Sequence, residues 1–223
     1  MKRFMLICAI AALAAVGTSC AHCKKGAGKV MTYTNADFYQ DGKFQGAKAA
    51  EAYYAMMKRF HVPIYKRLQT EEFWAIDFGL GDFSKVGMAG IFWVNEKEDS
   101  YFGHEIYLLP GQMIVEHSHV EVTENNVKPK IESWQVRHGS VYGFSEGTPN
   151  LDTMPAAKIP EAQKKFSKVN HVELWTADGY AHKLPAAKSW HFMMAGPEGA
   201  IVTEYATFHD NKGLRFANPG VKF

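Results

Sequence analysis

His117 and His119 stand one residue apart, and Glu132 follows thirteen residues after the second of them. On a β-strand, residues two apart project to the same face, so this H-x-H pair presents both imidazoles to one side. Two imidazoles aimed at one point suit a divalent cation, and a carboxylate brought in beside them would add an anionic ligand. An ordinary packed or solvated strand that happens to contain histidine has the same spacing, so the pair alone does not decide. Three neighbouring features bear on the choice. Pro110-Gly111 is a turn pair just ahead of the pair's strand. Six residues lie between Glu132 and Gly139, a run that reads as a strand reaching a tight turn. Finally, "AHKLPAAKSWHF" supplies another strand, a proline turn and a third histidine, His191.

Any metal here must be held by nitrogen and oxygen. The three cysteines, Cys8, Cys20 and Cys23, all lie in or beside the N-terminal apolar segment, which leaves the folded part without a disulfide framework, a thiolate site or a cysteine nucleophile.

The elements that must position these residues follow from the texture of the chain. Its 223 residues are 47% hydrophobic and 13% aromatic, enough for one substantial core. A formal net charge of +2 with no long basic run gives no reason to expect a nucleic-acid partner. Lys2 and Arg3 followed by the apolar run Phe4–Val16 and small residues read as a signal peptide over residues 1–20. Cys20 is placed as a lipidated cysteine would be, while plain cleavage near Ser19 to Ala21 is the competing reading. Export is therefore expected, to the periplasm or as a membrane-anchored lipoprotein. Residues 21–35 read as a flexible tether. Residues 36–72 read as a helical segment, with Tyr53, Met56, Met57 and Phe60 as a packing stripe and Pro63 as a breaker. From Phe73 onward, short β-rich runs are separated by Gly, Pro, Asn or Asp, which predicts a mainly antiparallel sandwich or barrel over 73–223. Residues 146–168, with three prolines and little periodicity, read as a long surface loop.

The order glycine, five residues, H-x-H, glutamate, six residues, glycine, then proline and histidine resembles the two motifs of the cupin superfamily. "DFGLGDFSKVGMAGIFWVN", "LLPGQMIVEHSH", "KIESWQVRHGSVYGF" and the C-terminal "AGPEGAIVTEYATFHDNKG" are similar, more narrowly, to the bacterial D-lyxose isomerases. H-x-H followed by Lys-x-Glu, here His117, His119, Lys130 and Glu132, is the most specific part. The resemblance implies an all-β fold, a jelly-roll barrel with an N-terminal helical extension. It also implies that His117, His119, Glu132 and His191 hold a divalent metal ion and that Glu204 has an acid/base role. The insert "VEVTENNVKPKI" between His119 and Glu132 must loop out, and Asn125, Asn126 and Pro129 suit such a loop.

The implied reaction converts an aldose to a ketose, D-lyxose to D-xylulose or D-mannose to D-fructose, through an enediol. The proton on the carbon next to the carbonyl is too weakly acidic for a free carboxylate to remove, so a cation that polarises the carbonyl is required. Mn²⁺ is expected, with Zn²⁺, Co²⁺, Fe²⁺ and Ni²⁺ suiting the same donors. Lys130, two residues from Glu132 on one strand face, could donate to a sugar oxygen. His104, at the start of a strand, could hydrogen-bond a sugar but reads rather as a surface or core histidine; His138 reads as an outward turn histidine, and Asp210 as a loop residue that could orient a neighbour. The expected partner is a monosaccharide and the expected assembly a homodimer, with membrane contact only through a lipid anchor. A cupin oxygenase and an exported, non-catalytic sugar-binding cupin use the same ligand order and remain the competing readings.

Overall fold

A computed structural model of the protein describes residues 29–223, and the expected leader and most of the expected tether lie outside that range. The segment expected to be helical begins instead with a hairpin, β1 (Tyr39–Gln40) and β2 (Lys43–Phe44). Asp41 and Gly42 join them with φ of 51° and 72°. Positive φ at both central positions is the requirement of a type I′ turn, which Asp-Gly meets at little steric cost.

Helix α1 (Gly46–Arg59) follows and stops short of Pro63. His61 takes φ 57°, His61 N–H donates to Lys58 O and Val62 N–H to Met57 O, so the helix closes in a Schellman motif with histidine in the left-handed position. The stripe Ala49, Ala52, Tyr53, Met56 and Met57 is buried. It packs against Ala89, Ile91, Tyr107 and Ile201 on the outside of the barrel, the packing role its spacing predicts.

The barrel consists of β3 (Trp74–Ile76), β4 (Met88–Glu96), β5 (Tyr101–Leu108), β6 (His117–His119), β7 (Glu132–Ser145), β8 (His171–Thr176), β9 (His182–Lys183), β10 (His191–Ala206) and β11 (Leu214–Phe216). The ladders between these strands are antiparallel. Two long strands, β7 and β10, pair along their whole length and serve both walls of the barrel. One wall runs β3-β4-β5-β10-β7-β9 and the other β11-β6-β10-β7-β8. β10 meets β5 over Ala200–Ala206 and β6 at His191, so its two halves belong to different walls.

The bend between the walls sits at glycine. Register shifts fall between Ala195 and Ala200 and between Ile201 and Val202. Gly139 and Gly199 take φ of 72° and 79° there, and a Cβ on Gly139 would stand 2.0 Å from Gly199 O. The expected tight turn at Gly139 is therefore a bend within one continuous strand, made by two backbones approaching too closely for a side chain.

Alternation assigns the strand faces. Ile106, Leu108, Ala200 and Val202 point into the barrel core, while Tyr107 and Ile201 point out to α1. The stretch 146–168 corrects a second expectation. It contains a 3-10 turn at Leu151–Thr153 and a short helix, α2 (Glu161–Lys164), and it buries Ala157, Ile159 and Gln163. Its far end is held by Glu116, whose carboxylate accepts from Lys168 N–H at 2.9 Å and Ser167 Oγ at 3.1 Å. Few, irregularly spaced anchors and a distant carboxylate leave no periodicity in sequence, so the arm reads as a loop.

Candidate active site

The site lies between the two walls. The turn that starts the H-x-H arm is type II: Gln112 N–H donates to Leu109 O at 3.0 Å, Pro110 precedes Gly111, and Gly111 has φ 71°. The chain then enters β6, where His117 lies opposite His191, the first residue of β10. One nitrogen from each of His117, His119 and His191 lies within 4.8 Å of the others. Glu132 starts β7 opposite Ala206 and reaches in from the other wall. Its Oε1 is 3.2 Å from His119 Nε2 and its Oε2 3.0 Å from His191 Nε2.

Backbone carbonyls orient two of the rings. His117 Nδ1–H donates to Val115 O and His191 Nδ1–H to Ser189 O, each at 2.9 Å. A ring that spends Nδ1–H this way turns Nε2 inward as a ligand atom. Among the described residues, His119 Nε2, His191 Nε2 and Glu132 Oε2 are buried and close together but make no well-directed hydrogen bond. Orphaned polar atoms converging in a dry interior are costly unless something fills the space between them. Three imidazoles and a carboxylate, with no thiolate, fit a divalent transition-metal ion.

The charges agree with that fit. Burial and the neighbouring His191 and His119 hold the His117 imidazole far below its usual range, so it is neutral. Burial alone would raise the Glu132 carboxyl, but Lys130, His119 and His191 draw it well below the usual carboxylate range. Burial also opposes charge on His191, and the Glu132 carboxylate outweighs it and raises that imidazole. The cluster attracts positive charge.

Beside it lies a second group of ionisable side chains. Lys130 Nζ donates to Glu204 Oε1 and stands 3.0 Å from Glu132 Oε1. The ammonium also sits 4.2 Å over the Phe102 ring. Glu204 comes from the inner face of β10, with its Cα opposite His104 on β5 and Trp134 on β7. Its Oε2 lies 3.0 Å from His104 Nδ1. Lys130 is 5%, Glu204 4% and His104 5% exposed, so these contacts are made out of water. Burial works against charge on Lys130, yet Glu132 and Glu204 overcome it and raise the ammonium's pKa. Burial likewise opposes the Glu204 carboxylate, and Lys130 overcomes that and lowers it. Lys130 is an ammonium and Glu204 a carboxylate at neutral pH.

Both groups open on one cavity of about 320 Å³, walled by Trp74, Phe92, Phe102 and Trp134, with His171 and Glu173 nearer its mouth. The six residues singled out from the sequence, His117, His119, Lys130, Glu132, His191 and Glu204, all line it. Sequence reasoning passed over two more. His104 was readable from alternation, since it shares a β5 face with Phe102 and Ile106. His209 is buried on the cavity wall with Nε2 at 2.6 Å from Asn211 Oδ1, and burial together with Lys130 pushes its imidazole down to about 4. His138 stacks on Phe60 outside the barrel, with ring centroids 5.5 Å apart. Asp210 accepts from Lys212 N–H at 3.0 Å and Asn125 Nδ2 at 2.6 Å, which ties down the looped insert after β6. Phe144 and Phe192 stack at 4.2 Å as packing.

No protein-family model matches the chain. A D-lyxose/D-mannose isomerase of Thermosediminibacter oceani is 32% identical to it over 174 residues, 77% of this chain and 90% of that one. The chain belongs to the D-lyxose isomerase family. A D-lyxose ketol-isomerase of Thermofilum sp. is 32% identical over 154 residues, covering 69% of this chain and 81% of its own. Among solved structures, L-ribose isomerase of Acinetobacter sp. DL28 in complex with L-ribose superposes with a TM-score of 0.60 at 15% identity, over 86% of this chain and 96% of that one. L-ribose isomerase of Cellulomonas parahominis with L-ribose gives 0.62 at 12% identity, over 86% and 96%. Similarity at such low identity speaks to the fold, a cupin-type jelly roll, as the sequence resemblance implies. This D-lyxose isomerase family member is a sugar isomerase.

Proposed function

We propose that the enzyme interconverts D-lyxose and D-xylulose, and D-mannose and D-fructose, with His117, His119, Glu132 and His191 holding a divalent ion and with Glu204 and Lys130 handling protons. The observation that carries this reading is the buried Lys130–Glu204 pair beside three converging imidazoles and the Glu132 carboxylate in one cavity. A protein that only bound sugar would need no such acid–base pair. The ion, proposed as Mn²⁺, would supply Lewis acidity toward the charge that develops on the sugar's carbonyl and hydroxyl oxygens.

Glu204, held ionised by Lys130, takes the proton from C2 of the aldose. The electron pair moves into a C1–C2 double bond, and the former carbonyl oxygen takes a proton from the Lys130 ammonium to give the enediol. Glu204 then returns its proton to C1 while the proton on O2 passes to the Lys130 amine, which restores the ammonium and forms the ketose. Lys130, positioned by two carboxylates, donates to the sugar oxygens as their charge changes. The aromatic walls exclude water and so strengthen these interactions. We also propose that Met1 to about Ser19 is removed on export, on the strength of Lys2, Arg3 and the run Phe4–Val16, and that Cys20 is the site of lipidation if the protein is anchored.

The test is to reconstitute the protein with Mn²⁺ and follow D-lyxose, D-mannose and L-ribose by NMR in D₂O. D-Lyxose and D-mannose should isomerise, with deuterium entering at the position that receives the proton. Glu204→Gln should keep its metal and lose on the order of 10²–10⁴-fold in kcat. Near-wild-type turnover in that variant would remove Glu204 as the base. Turnover without solvent exchange would point to hydride transfer between C1 and C2.

A further inference from the structure

The reading of Glu204 as the base leaves His104 unexplained. It is buried on β5 directly opposite Glu204, and its Nδ1 meets Oε2 at 3.0 Å. Its Nε2 is buried with no partner among the described residues. The proton must therefore sit on Nδ1, because a proton on Nε2 would be an unsatisfied buried donor and would leave a lone pair facing the carboxylate. The ring cannot swing away. Trp74 stacks on one face, with centroids 5.6 Å apart at 28°, and Phe92 meets it edge-on at 4.9 Å. At its far edge, a Cβ on Gly90 would stand only 2.3 Å from Nε2, so the cage closes around a position that only glycine leaves open.

We propose that His104 is a positioning residue that holds Oε2 of Glu204, so that Oε1 is the oxygen that receives the substrate's proton. This rests on Glu204 being the base. The two oxygens have partners of different kinds. Oε2 accepts from a caged, neutral imidazole, which cannot withdraw and would gain nothing by releasing its only ring proton. Oε1 accepts from Lys130, an ammonium with three donors, one of which can be given to a sugar oxygen. When the C2–H bond breaks and an O–H bond forms, Oε2 stays engaged and Oε1 takes the proton as Lys130 moves to the sugar. His104 thus aims the base without touching the reacting atoms.

His104→Phe keeps the aromatic packing and removes the donor, and His104→Gln restores a donor in the form of an amide. The expected result is a loss on the order of 10²-fold in kcat for the phenylalanine variant, the scale of a small misplacement of a catalytic group. KM and metal content should stay within about twofold of wild type, since binding and ligation do not use this imidazole. His104→Gln should recover most of the loss. Gly90→Ala, whose Cβ would press on an intact His104 and on the Trp74 ring that cages it, should reproduce the defect, and it carries the test if His104→Phe does not fold. In a Glu204→Gln background, His104→Phe should cost nothing further. A loss that follows KM or metal content, a glutamine variant no better than phenylalanine, or full kcat in His104→Phe would each overturn the proposal while leaving Glu204 as the base. Full turnover in Glu204→Gln alone would overturn the base assignment and this proposal with it.

Discussion

Lys130→Met is the sharpest test of the electrostatics, because the change keeps a long apolar stem over Phe102 and removes only the charge. In the wild type the ammonium lies between Glu132 and Glu204, and all three groups are buried. Without it, Glu132 still faces His191, whose imidazole it raises, but Glu204 keeps only the neutral His104. Breaking a buried ion pair by removing one partner costs about 3–5 kcal/mol. For a domain of this size that corresponds to a fall of about 6–20 °C in melting temperature near neutral pH. The pH dependence should change as well. In the wild type, Glu132 and Glu204 have lowered pKa values, so their contribution is present above the unfolded carboxylate range and is lost as pH falls below it. In the variant, burial acts on Glu204 against the His104 hydrogen bond alone and raises it, so stability declines as pH rises out of that range. The gap between the two proteins should therefore widen from about pH 4.5 to pH 7, following the reference carboxyl pKa. Thermal unfolding of chelator-treated protein by circular dichroism reads this directly. A variant within about 1 °C of wild type at pH 7, or a gap that does not change with pH, would refute the buried-triad reasoning.

Three further outcomes are expected. Purified protein should hold about one divalent ion per chain, and His117→Ala or His191→Ala should remove most of it by elemental analysis, since each deletes an oriented ligand atom; full occupancy in both would refute the ligand set. Glu116→Ala should cost about 2–4 kcal/mol, because it strands donors that now meet a charged acceptor. It should also speed proteolysis within residues 146–168, and unchanged protection there would refute Glu116 as the anchor of that arm. Mass spectrometry of protein from the native host should find the chain starting after about Ser19. A lipidated chain should leave the membrane fraction in Cys20→Ala, and a full-length, soluble cytoplasmic protein would refute export.

Much of this protein is legible residue by residue, because the forces involved act over a few residues. Period-two alternation places His117 and His119 on one face, and Pro110-Gly111 permits one kind of turn ahead of them. The stripe from Ala49 to Met57 buries itself against a sheet for the same reason. The Asp41-Gly42 hairpin was equally local, and its turn chemistry names it once alternation over so short a segment is set aside. The resemblance to D-lyxose isomerases supplied Glu204, and it joined His191, already singled out by its strand and proline turn, to the pair as a ligand. Tertiary structure decided what meets what. Glu132 reaches its histidines from the opposite wall, and His104 finds Glu204 at a sequence separation of 100 residues. Those meetings depend on the register of β5, β7 and β10, fixed by closing a barrel around a buried core, and a one-residue slip would turn each of these side chains to the outside. Gly139 shows the same division. Its need for positive φ is local, but whether it ends a strand or bends one depended on Gly199 passing within contact of it.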